Sequence, residues 1–504
     1  MRKQASPRPA LVVHNPGAVP SLSFANSVRT AIKGCDAAVV VAAASVFEKD
    51  ALPALLSPPL QDLLVELGAL AKPGHLGASA NSLTGGNPGR IFVGVLPETL
   101  SRYNSPSRAD SIRRVIPAGA LGNHKKAAII LVLDDASHYT AAANAVGRAF
   151  PEYCAKSSPS SDLKITIVAV DRQGAPIKAT PPVKETVAST RAVARLVDMP
   201  PCELDPASFA KEARALLSGI KGVRIKEIVG DALRRQGLNG LHTVGRTAMA
   251  APRLFIATYS PGRGASGRHV ALVGKGVTYD TGGLNLKIQG SMAKMKCDMG
   301  GAAAVLGAFK VLAAGRSKHK VSLLLCLAEN AIGPNAYRPD DIIKMHSGKT
   351  VEINNTDAEG RLCLASGVSY AARTLKVDTI IDAATLTGAQ MVATGLAHAA
   401  LISNDSEFES AIVAAGTSTG DLIHPMPFAP ELYKGEFESA VADMCNSVRS
   451  RMNAQTACAA QFIHWHIEDQ DVTWAHIDLA GPAFPKNRGT GYGVALIAAA
   501  VNDL

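Results

Sequence analysis

Short and almost purely apolar runs recur along the whole chain, separated by stretches in which apolar residues return at helical spacing. These runs lack the alternation of a strand with one wet face, and they are typical of strands buried on both faces of a largely parallel sheet. The intervening helices would cover those faces. The pattern predicts an α/β fold of mixed, mainly parallel sheets flanked by helices, with strands in the first part at "ALVVHN", "AAVVVAA", "RIFVGVL", "AAIILVLDD" and "KITIVAVD" and helices at "QDLLVELGALA" and "TAAANAVGRAF".

The chain length and one proline-rich segment divide this pattern into two domains. A chain of 504 residues exceeds one ordinary hydrophobic core. The polar segment "APIKATPPVKE" at 175–185 is predicted to be a linker, and "SSPSSD" at 157–162 a surface loop. We therefore predict an N-terminal α/β domain with its linker over residues 1–184 and a C-terminal domain over residues 185–504, which repeats the alternation with "RLFIATY", "HVALVGKG", "VSLLLCLAEN", "DTIIDAATLTGA" and "WAHIDLAGP".

The composition excludes several classes of protein. A hydrophobic content of 47% with 19% charged residues is typical of a globular enzyme and argues against disorder. The longest apolar runs are shorter than the roughly 18 residues that a membrane helix needs, so no membrane partner is predicted. The eight cysteines stand singly, without a CxxC pair, which argues against a disulfide framework or a zinc finger and favours reduced thiols inside a cell.

The net charge of +10 is concentrated in the first 184 residues, which hold 20 Lys and Arg against 12 Asp and Glu. These charges are dispersed and have no interleaved aromatic residues, which argues against nucleic-acid binding. A non-catalytic or nucleic-acid-binding role of this basic domain nevertheless stays open as the alternative function. The first 35 residues contain no acidic residue, as in mitochondrial transit segments, although prolines interrupt any long helix there. We predict a cytoplasmic protein, with a mitochondrial location as the alternative.

Charged residues cluster where the apolar strands of the second half end. In "NNTDAEGRL" at 354–362, Asp357, Glu359 and Arg361 would point to one side of an extended or turning backbone. The other members of the cluster follow a buried strand in "VGKGVTYDTGGLNLK" or precede a helix of small residues in "MKCDMGGAAAVLGAF": Lys275, Asp280, Lys287 and Asp298. Open α/β sheets place their sites at the carboxyl ends of strands, so we expect these groups to meet there.

Four carboxylates and two lysines cannot be buried together without cations that balance them. This balance favours two divalent metals about 3.5 to 4 Å apart with shared carboxylates. Each residue alone has another interpretation: Lys275 could cradle a phosphate, Asp280 could serve a turn, and Asp298 could cap a helix. The "GKG" segment lacks the spacing of a Walker loop. A dimetal phosphoesterase also stays open, although none of the thirteen histidines lies in these motifs.

Five strings in this order resemble the leucyl aminopeptidase (cytosol aminopeptidase) family of dimetal exopeptidases: "VGKGVTYDTGGLNLK", "MKCDMGGAAAVLGAF", "NAYRPDD", "NNTDAEGRL" and "DAATLTGA". The octamer "NTDAEGRL" is the family signature, and the resemblance extends from 194 to 497. The stretch "VADMCNSVRSRMNAQTACAAQF" is similar to the aminopeptidase-like branch of the family. The resemblance implies a metalloexopeptidase, with a C-terminal catalytic domain, that releases N-terminal apolar, Leu-like residues from small peptides with a free N-terminus. It also implies a homohexamer.

The resemblance implies a role for each clustered residue. Two divalent ions, Zn²⁺, Mn²⁺, Mg²⁺ or Co²⁺, would activate a bridging water. Lys275 would bind one ion through a neutral amine together with Asp298, and Asp357 would bind the other. Asp280 and Glu359 would bridge both ions.

Two further groups would be catalytic without binding metal. Lys287 would stabilise the oxyanion of the intermediate, and Arg361 would hold a bicarbonate that carries a proton, because a guanidinium is itself no base. Met295, Thr385 and Gly388 would line an apolar pocket for the first side chain. The chain departs from the family at Tyr279, where Phe is usual, and at Asp340, where Gly is usual, which puts the local turn in doubt.

Overall fold

A computed structural model of the chain describes residues 19–157, 162–262 and 267–504. The strand predicted at "ALVVHN" lies outside these residues, as does most of the loop predicted at 157–162. Contacts between Cα atoms divide the chain into two compact units. One contains residues 193–415 and 423–504, and the other contains the described residues up to 192 together with 416–422.

The N-terminal unit is built on one mixed seven-stranded sheet with helices on both faces. In chain order its elements are β1 (Ser21–Phe24), α1 (Val28–Ile32), β2 (Ala37–Ala43), α2 (Pro58–Leu70), β3 (Ala78–Leu83), β4 (Arg90–Leu96), α3 (Ala109–Val115), α4 (Ala118–Leu121), β5 (Lys126–Leu133), α5 (Tyr139–Ala149), β6 (Lys164–Asp171), β7 (Pro176–Ile177) and α6 (Pro181–Asp198).

The strands of this sheet run in the order β1-β6-β5-β2-β4-β3, and β7 pairs with β6 outside this path. Strands β1, β6, β5, β2 and β4 are parallel, whereas β3 and β7 are antiparallel to their partners. Val39 and Val41 pack toward α3 and α5, while Val40 and its even-numbered neighbours pack toward α1 and α2. Burial on both faces explains why these strands are continuously apolar, as predicted.

The larger unit contains an eight-stranded sheet and a small three-stranded one. Its further elements are α7 (Pro206–Leu217), β8 (Val223–Val229), α8 (Asp231–Arg235), α9 (Asn239–Gly245), β9 (Arg253–Tyr259), β10 (His269–Asp280), α10 (Gly300–Ala314), β11 (Lys320–Asn330), β12 (Ile342–Lys344), β13 (Thr350–Glu352), α11 (Gly360–Tyr370), β14 (Thr379–Ala384), α12 (Gly388–Ala393), β15 (Ala399–Ser403), α13 (Ser406–Thr419), β16 (Ile423–Pro425), α14 (Pro430–Tyr433), β17 (Met444–Cys445), α15 (Gln455–His464), β18 (Thr473–Asp478), α16 (Ala480–Ala483) and α17 (Val494–Asn502).

Short helices of other types complete the elements. A π-helical turn follows α11 at Ala371–Leu375, and 3-10 helices span Ala44–Phe47, Ala136–His138, Met295–Cys297, Lys434–Phe437 and Pro485–Asn487.

The eight-stranded sheet has the order β16-β15-β18-β14-β10-β11-β9-β8, and the small sheet has the order β12-β13-β17. Strands β11, β10, β14 and β18 are mutually parallel, while β9 and β8 add antiparallel edges. Helix α10 packs against β10, β11 and β14 on one face, and α11 packs against β10 and β11 with α9 and α15. The predicted α/β fold with mixed sheets flanked by helices is confirmed.

One stretch is long and apolar enough to span a membrane by length and composition alone. It covers Met295–Ala314, with a mean hydropathy of 1.4, and 83% of its apolar window is buried inside the protein. This stretch contains the core helix α10, whose apolar surface is covered by the central strands and α17.

The segment predicted as a linker differs from that prediction. Residues 175–185 contain β7 and the first turns of α6, and the boundary between the units falls inside α6, between residues 192 and 193. Two prolines, Pro181 and Pro182, begin this helix, because the first helical residues need no N–H for an intrahelical bond. The prolines that indicated a linker therefore mark a helix start.

Candidate metal centre

The clustered charges meet at one edge of the large sheet, where its four parallel central strands end. Strands β10, β11, β14 and β18 end at Asp280, Asn330, Ala384 and Asp478. A register shift in β10 after Val277 sets Asp280 opposite Asn330 of β11. This edge is the place where open α/β sheets hold their sites, as predicted.

Lys275 lies at the centre of one half of the cluster. Its Nζ lies 2.8 Å from Asp298 Oδ1 and 2.9 Å from Glu359 Oε1, and it donates a hydrogen bond of 3.1 Å to the carbonyl oxygen of Thr385. Thr385 also donates from Oγ1 to Asp298 Oδ1 at 2.9 Å. All four side chains are buried.

Lys287 organises the other half of the cluster. Its Nζ lies 2.8 Å from Asp280 Oδ2 and 2.6 Å from Asp357 Oδ1. One carboxylate oxygen from each of Asp280, Asp357 and Glu359 lies within 4.8 Å of the others. The structure thus brings together the six residues that the sequence placed at these strand ends.

Arg361 reaches this edge in a different way from the prediction. The chain is not extended through Asp357, Glu359 and Arg361, because helix α11 begins at Gly360 and Glu359 already has helical φ and ψ of −77° and −35°. The carboxylates of Asp357 and Glu359 still converge. Arg361 lies in the first turn of the helix, where the every-second-residue spacing of an extended chain no longer applies.

The Arg361 guanidinium is buried and incompletely paired. Its Nε and one Nη have no hydrogen-bond partner within the described part of the chain. Burial lowers the pKa of Arg361 to about 10, against the opposing effect of Glu359. A buried cation with free donors at a helix start fits an anion with oxygen acceptors.

Two glycines allow the loops to approach the cluster. Gly282 has a φ of +84°, and a Cβ there would lie 2.9 Å from Asp357 Oδ1. At Gly360 a Cβ would lie 2.5 Å from Lys275 Cε and 2.7 Å from its Nζ. The lysine cannot move away from Gly360 without losing its contacts to Asp298 and Glu359, so position 360 requires glycine. Position 282 requires glycine because of its positive φ and the nearby Asp357 oxygen.

Gly360→Ala is therefore expected to lower the free energy of unfolding by about 1 to 3 kcal/mol, the usual cost of overpacking a buried site. Urea denaturation would measure the loss. Gly435→Ala is the matched control, because no heavy atom lies within 4 Å of a Cβ at Gly435. Equal stability of the two variants would contradict this account of the packing against Lys275.

Several neutral residues hold the cluster, and sequence reasoning did not single them out. Asn330 donates from Nδ2 to Asp280 Oδ1 at 2.8 Å and to the Thr356 carbonyl at 3.1 Å. Thr356 donates from Oγ1 to the Gly282 carbonyl at 2.6 Å, and the Tyr337 hydroxyl donates to the Thr356 carbonyl at 2.6 Å. These bonds fix Asp280 and the loop before Asp357 relative to each other.

Asp478 is a charged residue that sequence reasoning also missed. Its carboxylate accepts bonds from the backbone N–H groups of Leu386 and Thr387 at 3.0 Å each and from Thr387 Oγ1 at 2.7 Å. It thereby holds the loop after β14, which carries Thr385 to Asp298. Like Asp280, Asp478 is a carboxylate at the end of a predicted strand, and this position could have indicated from the sequence that it belongs to the site.

The two lysines offset only part of the negative charge of the four carboxylates in the cluster. Burial opposes the ammonium of Lys275, but the carboxylates of Asp298 and Glu359 outweigh it and raise the pKa of Lys275 well above its ordinary value. Burial raises the pKa of both Asp298 and Glu359. Burial therefore disfavours the charged form of these carboxylates, and two lysines among four carboxylates leave the polypeptide short of positive charge at this edge.

The donor set fits divalent cations. Asp298 Oδ2 and Glu359 Oε2 are buried and have no hydrogen-bond partner among the described residues. Buried carboxylate oxygens without partners are costly, and hard or borderline divalent ions such as Mg²⁺, Mn²⁺ and Zn²⁺ prefer oxygen ligands of this kind. One oxygen from each of Asp280, Asp357 and Glu359 could bind a metal ion together.

The three predicted pocket residues differ in their positions. Thr385 lies directly against Asp298, as described above. Met295 is half-buried in the 3-10 helix just before Asp298, and Gly388 is exposed at the start of α12. Thr385 contacts the cluster through its side chain, and the Met295 carbonyl accepts a hydrogen bond of 3.2 Å from the Asp298 N–H.

The two departures from the family pattern are accommodated locally. The Tyr279 hydroxyl donates to the Met292 carbonyl at 3.3 Å. Asp340 adopts a φ of +71°, a left-handed conformation that favours glycine. The aspartate in place of the family's glycine therefore lies at a position where it is strained.

A cleft of about 580 Å³ opens beside Lys287 and Asp357. Its other lining residues come from the loop after β10, the loop before α11 and the segment after β17: Asn285, Leu286, Ile288, Ser291, Asn354, Asn355, Ser447, Val448, Arg449 and Arg451. A cleft of this size is in the usual range for small-ligand sites.

Comparison with known families identifies this arrangement. Residues 191–498 match the "Cytosol aminopeptidase family, catalytic domain", and residues 78–159 match the "M17 aminopeptidase N-terminal domain 2". This chain belongs to the cytosol aminopeptidase family. The resemblance read from the motifs is confirmed, and the protein is a peptidase, a hydrolase, with a C-terminal catalytic domain.

Named relatives agree with this membership. The chain is 43% identical over 416 residues to the mouse protein "Probable aminopeptidase NPEPL1", covering 81% of this chain and 78% of the relative. It is 41% identical over 408 residues to "Leucine aminopeptidase 1" of Caenorhabditis elegans, covering 80% and 81% of the two chains.

Solved structures of the family share the fold over nearly the whole chain. The leucyl aminopeptidase of Leishmania major in complex with actinonin superposes with a TM-score of 0.88 at 33% identity, covering 97% of this chain and 95% of the other. The leucine aminopeptidase LAP1 of C. elegans superposes with a TM-score of 0.86 at 34% identity, covering 96% and 98%.

Proposed function

We propose that this aminopeptidase releases apolar, Leu-like residues from the free N-terminus of small peptides and that it needs two divalent ions per subunit. The observation that carries the proposal is the meeting of four carboxylates with Lys275 and Lys287 at one sheet edge, inside a match to the family's catalytic domain. Bound metals would supply Lewis-acid chemistry, activating water and polarising the scissile carbonyl. The ions we propose are Zn²⁺, Mn²⁺, Mg²⁺ or Co²⁺.

The metal ligands we assign are those indicated by the family motifs. Lys275 and Asp298 would hold one ion, Asp357 the other, and Asp280 and Glu359 would serve both. The short distances among the oxygens of Asp280, Asp357 and Glu359 support the bridging roles. Asn330, which donates to Asp280, would keep that carboxylate oriented toward the ions.

Lys287 and Arg361 are assigned to catalysis. The Lys287 ammonium is partly exposed toward the cleft and would face the oxyanion that develops on the substrate carbonyl. Arg361 would hold a bicarbonate through its unpaired donors, and a bicarbonate there would supply general-base chemistry that the guanidinium itself cannot. The side chain of the first substrate residue would contact Met295, Thr385 and Gly388.

Three coarser assignments accompany this function. We propose residues 185–504 as the catalytic domain and 1–184 as an N-terminal domain, and we propose a homohexamer. We also propose a cytoplasmic location, since relatives carry the name cytosol aminopeptidase, with a mitochondrial location as the alternative. Family membership and sequence composition support these assignments.

We expect the metal-loaded protein to hydrolyse Leu-amide but not N-acetyl-Leu-amide, because the free α-amine would be a metal ligand of the bound substrate. Steady-state rates on both compounds and on a phosphomonoester, before and after chelation, would test this. Hydrolysis of the acetylated compound at the same rate would refute exopeptidase action. Hydrolysis of the phosphomonoester alone would favour the phosphoesterase alternative.

A further inference from the structure

The cleft beside the metal centre has a wall with an excess of positive charge. Lys287 and Asp357 stand at its inner end and neutralise each other through their 2.6 Å ion pair. Arg449 and Arg451 add two cations along the cleft, and among the described residues Asp357 is the only carboxylate in its lining.

Both arginines are available to a ligand. Arg451 is exposed and forms no ion pair within residues 19–157, 162–262 and 267–504. Arg449 has an ion pair of 3.2 Å with Glu438, but both of these side chains are more than 60% exposed. Such exposed pairs contribute little and exchange readily with another carboxylate.

The segment that carries the arginines is tied to the metal-centre loop. Asn446 is fully buried, and its Oδ1 accepts bonds from the backbone N–H groups of Asn354 and Asn355 at 3.0 and 3.2 Å. Its Nδ2 donates to the carbonyls of Asn355 and Ala358 at 2.7 and 3.2 Å. The two arginines therefore begin from a backbone that is anchored beside Asp357.

A second anchor fixes the far side of the same segment. The Glu436 carboxylate accepts bonds from the backbone N–H of Ser450 at 3.0 Å and from Asn453 Nδ2 at 2.7 Å, and the Glu436 carbonyl accepts from the N–H of Arg449 at 3.0 Å. Because this backbone is already ordered, binding a ligand costs this segment less backbone entropy.

We propose that Arg449 and Arg451 bind a carboxylate on the leaving portion of the peptide, beyond the scissile bond. This inference rests on the proposed function, which sets the scissile bond at Lys287 and Asp357 and leaves the cleft for the residues that follow. In a short peptide the main-chain carboxylate lies only one or two residues further on, at about 3.3 to 3.6 Å per residue. The planar guanidinium forms paired hydrogen bonds with a carboxylate, and an amide in its place offers no such charge.

The carboxylate could belong to the peptide C-terminus or to an acidic side chain, and two pairs of matched substrates distinguish these sources. Leu-Gly-Gly and Leu-Gly-Gly-amide differ in the first, and Leu-Glu-amide and Leu-Gln-amide differ in the second. For at least one pair we expect the wild-type kcat/KM to be about three to ten times higher with the carboxylate, mainly through KM, as for one or two exposed ion pairs. The preference should shrink between about 0.01 M and 0.15 M salt, where the Debye length falls from about 30 to 8 Å.

In the double variant Arg449→Gln/Arg451→Gln, the ratio within that pair is expected to fall to within about twofold of one. A ratio taken within one variant does not depend on how much of the protein is folded or metal-loaded. Arg235→Gln, a matched loss of an exposed cation outside the cleft lining, should keep the wild-type ratio.

Equal wild-type kcat/KM values within both pairs, or an unchanged preference in the double variant, would overturn the carboxylate subsite and leave the aminopeptidase function standing. If the wild type hydrolyses none of the four peptides, the proposed function is overturned, and the subsite with it.

Discussion

Lys287→Ala is expected to lower kcat by about 10² to 10³, the size of losing one strong donor to the transition state. The Lys287 ammonium is held between Asp280 and Asp357 at 2.8 and 2.6 Å. Burial opposes its charge, but the carboxylates of Asp280, Glu359 and Asp357 together outweigh burial and raise the pKa of Lys287, so it stays cationic at neutral pH. KM should change little, because the cation acts on charge that develops only during reaction.

Steady-state kinetics on Leu-amide together with elemental analysis would test this expectation. Two metals per subunit should remain, since Lys287 is assigned no metal bond. Lys211→Ala removes an exposed lysine on α7 and controls for a general effect of lost charge. Full activity of the Lys287 variant, or loss of metal from it, would show that the residue has another role.

The strands of both units could be predicted because their environment is uniform. A strand that is covered on both faces needs apolar residues throughout, and "KITIVAVD" forms β6 over Lys164–Asp171 as expected. The linker prediction missed only the first turn of α6, because proline is common both in loops and in the first turn of a helix. Local composition does not distinguish these two uses.

The charged members of the site could be predicted, but most of its neutral supports could not. Asp280 and Glu359 are conspicuous because carboxylates at strand ends demand an explanation. Asn330 and Thr356 carry no charge, and their role depends on a register shift in β10 that aligns Asn330 with Asp280. Register is a property of paired strands, which a single strand's sequence does not reveal.

The state of Lys275 is a further property that only the folded structure reveals. The motif assigns it a metal bond through a neutral amine, whereas the carboxylates of Asp298 and Glu359 keep it protonated in the polypeptide alone. If Asp298 and Glu359 held a divalent ion, its charge would offset theirs, and Lys275 could bind it as a neutral amine. Lysine can do this because a neutral amine has a lone pair.

Lys275→Arg is accordingly expected to lose one of the two proposed metals and, with it, most of the activity. Arginine keeps the positive charge that pairs with Asp298 and Glu359, but its guanidinium does not deprotonate and offers no lone pair. The site is also tight, since Gly360 lies against the end of the lysine side chain. Elemental analysis after dialysis against a metal buffer would measure the loss.

The metal-free forms provide the control for folding. Both lysine and arginine are cations, so in the metal-free protein Lys275→Arg should lower the free energy of unfolding less than Lys275→Met does. Lys275→Met leaves the buried carboxylates without their partner, and urea denaturation would measure both losses. A loss of about 3 to 5 kcal/mol is usual when one member of a buried ion pair is removed. Retention of both metals by Lys275→Arg, with native stability, would mean that Lys275 serves the site as a cation and not as a ligand.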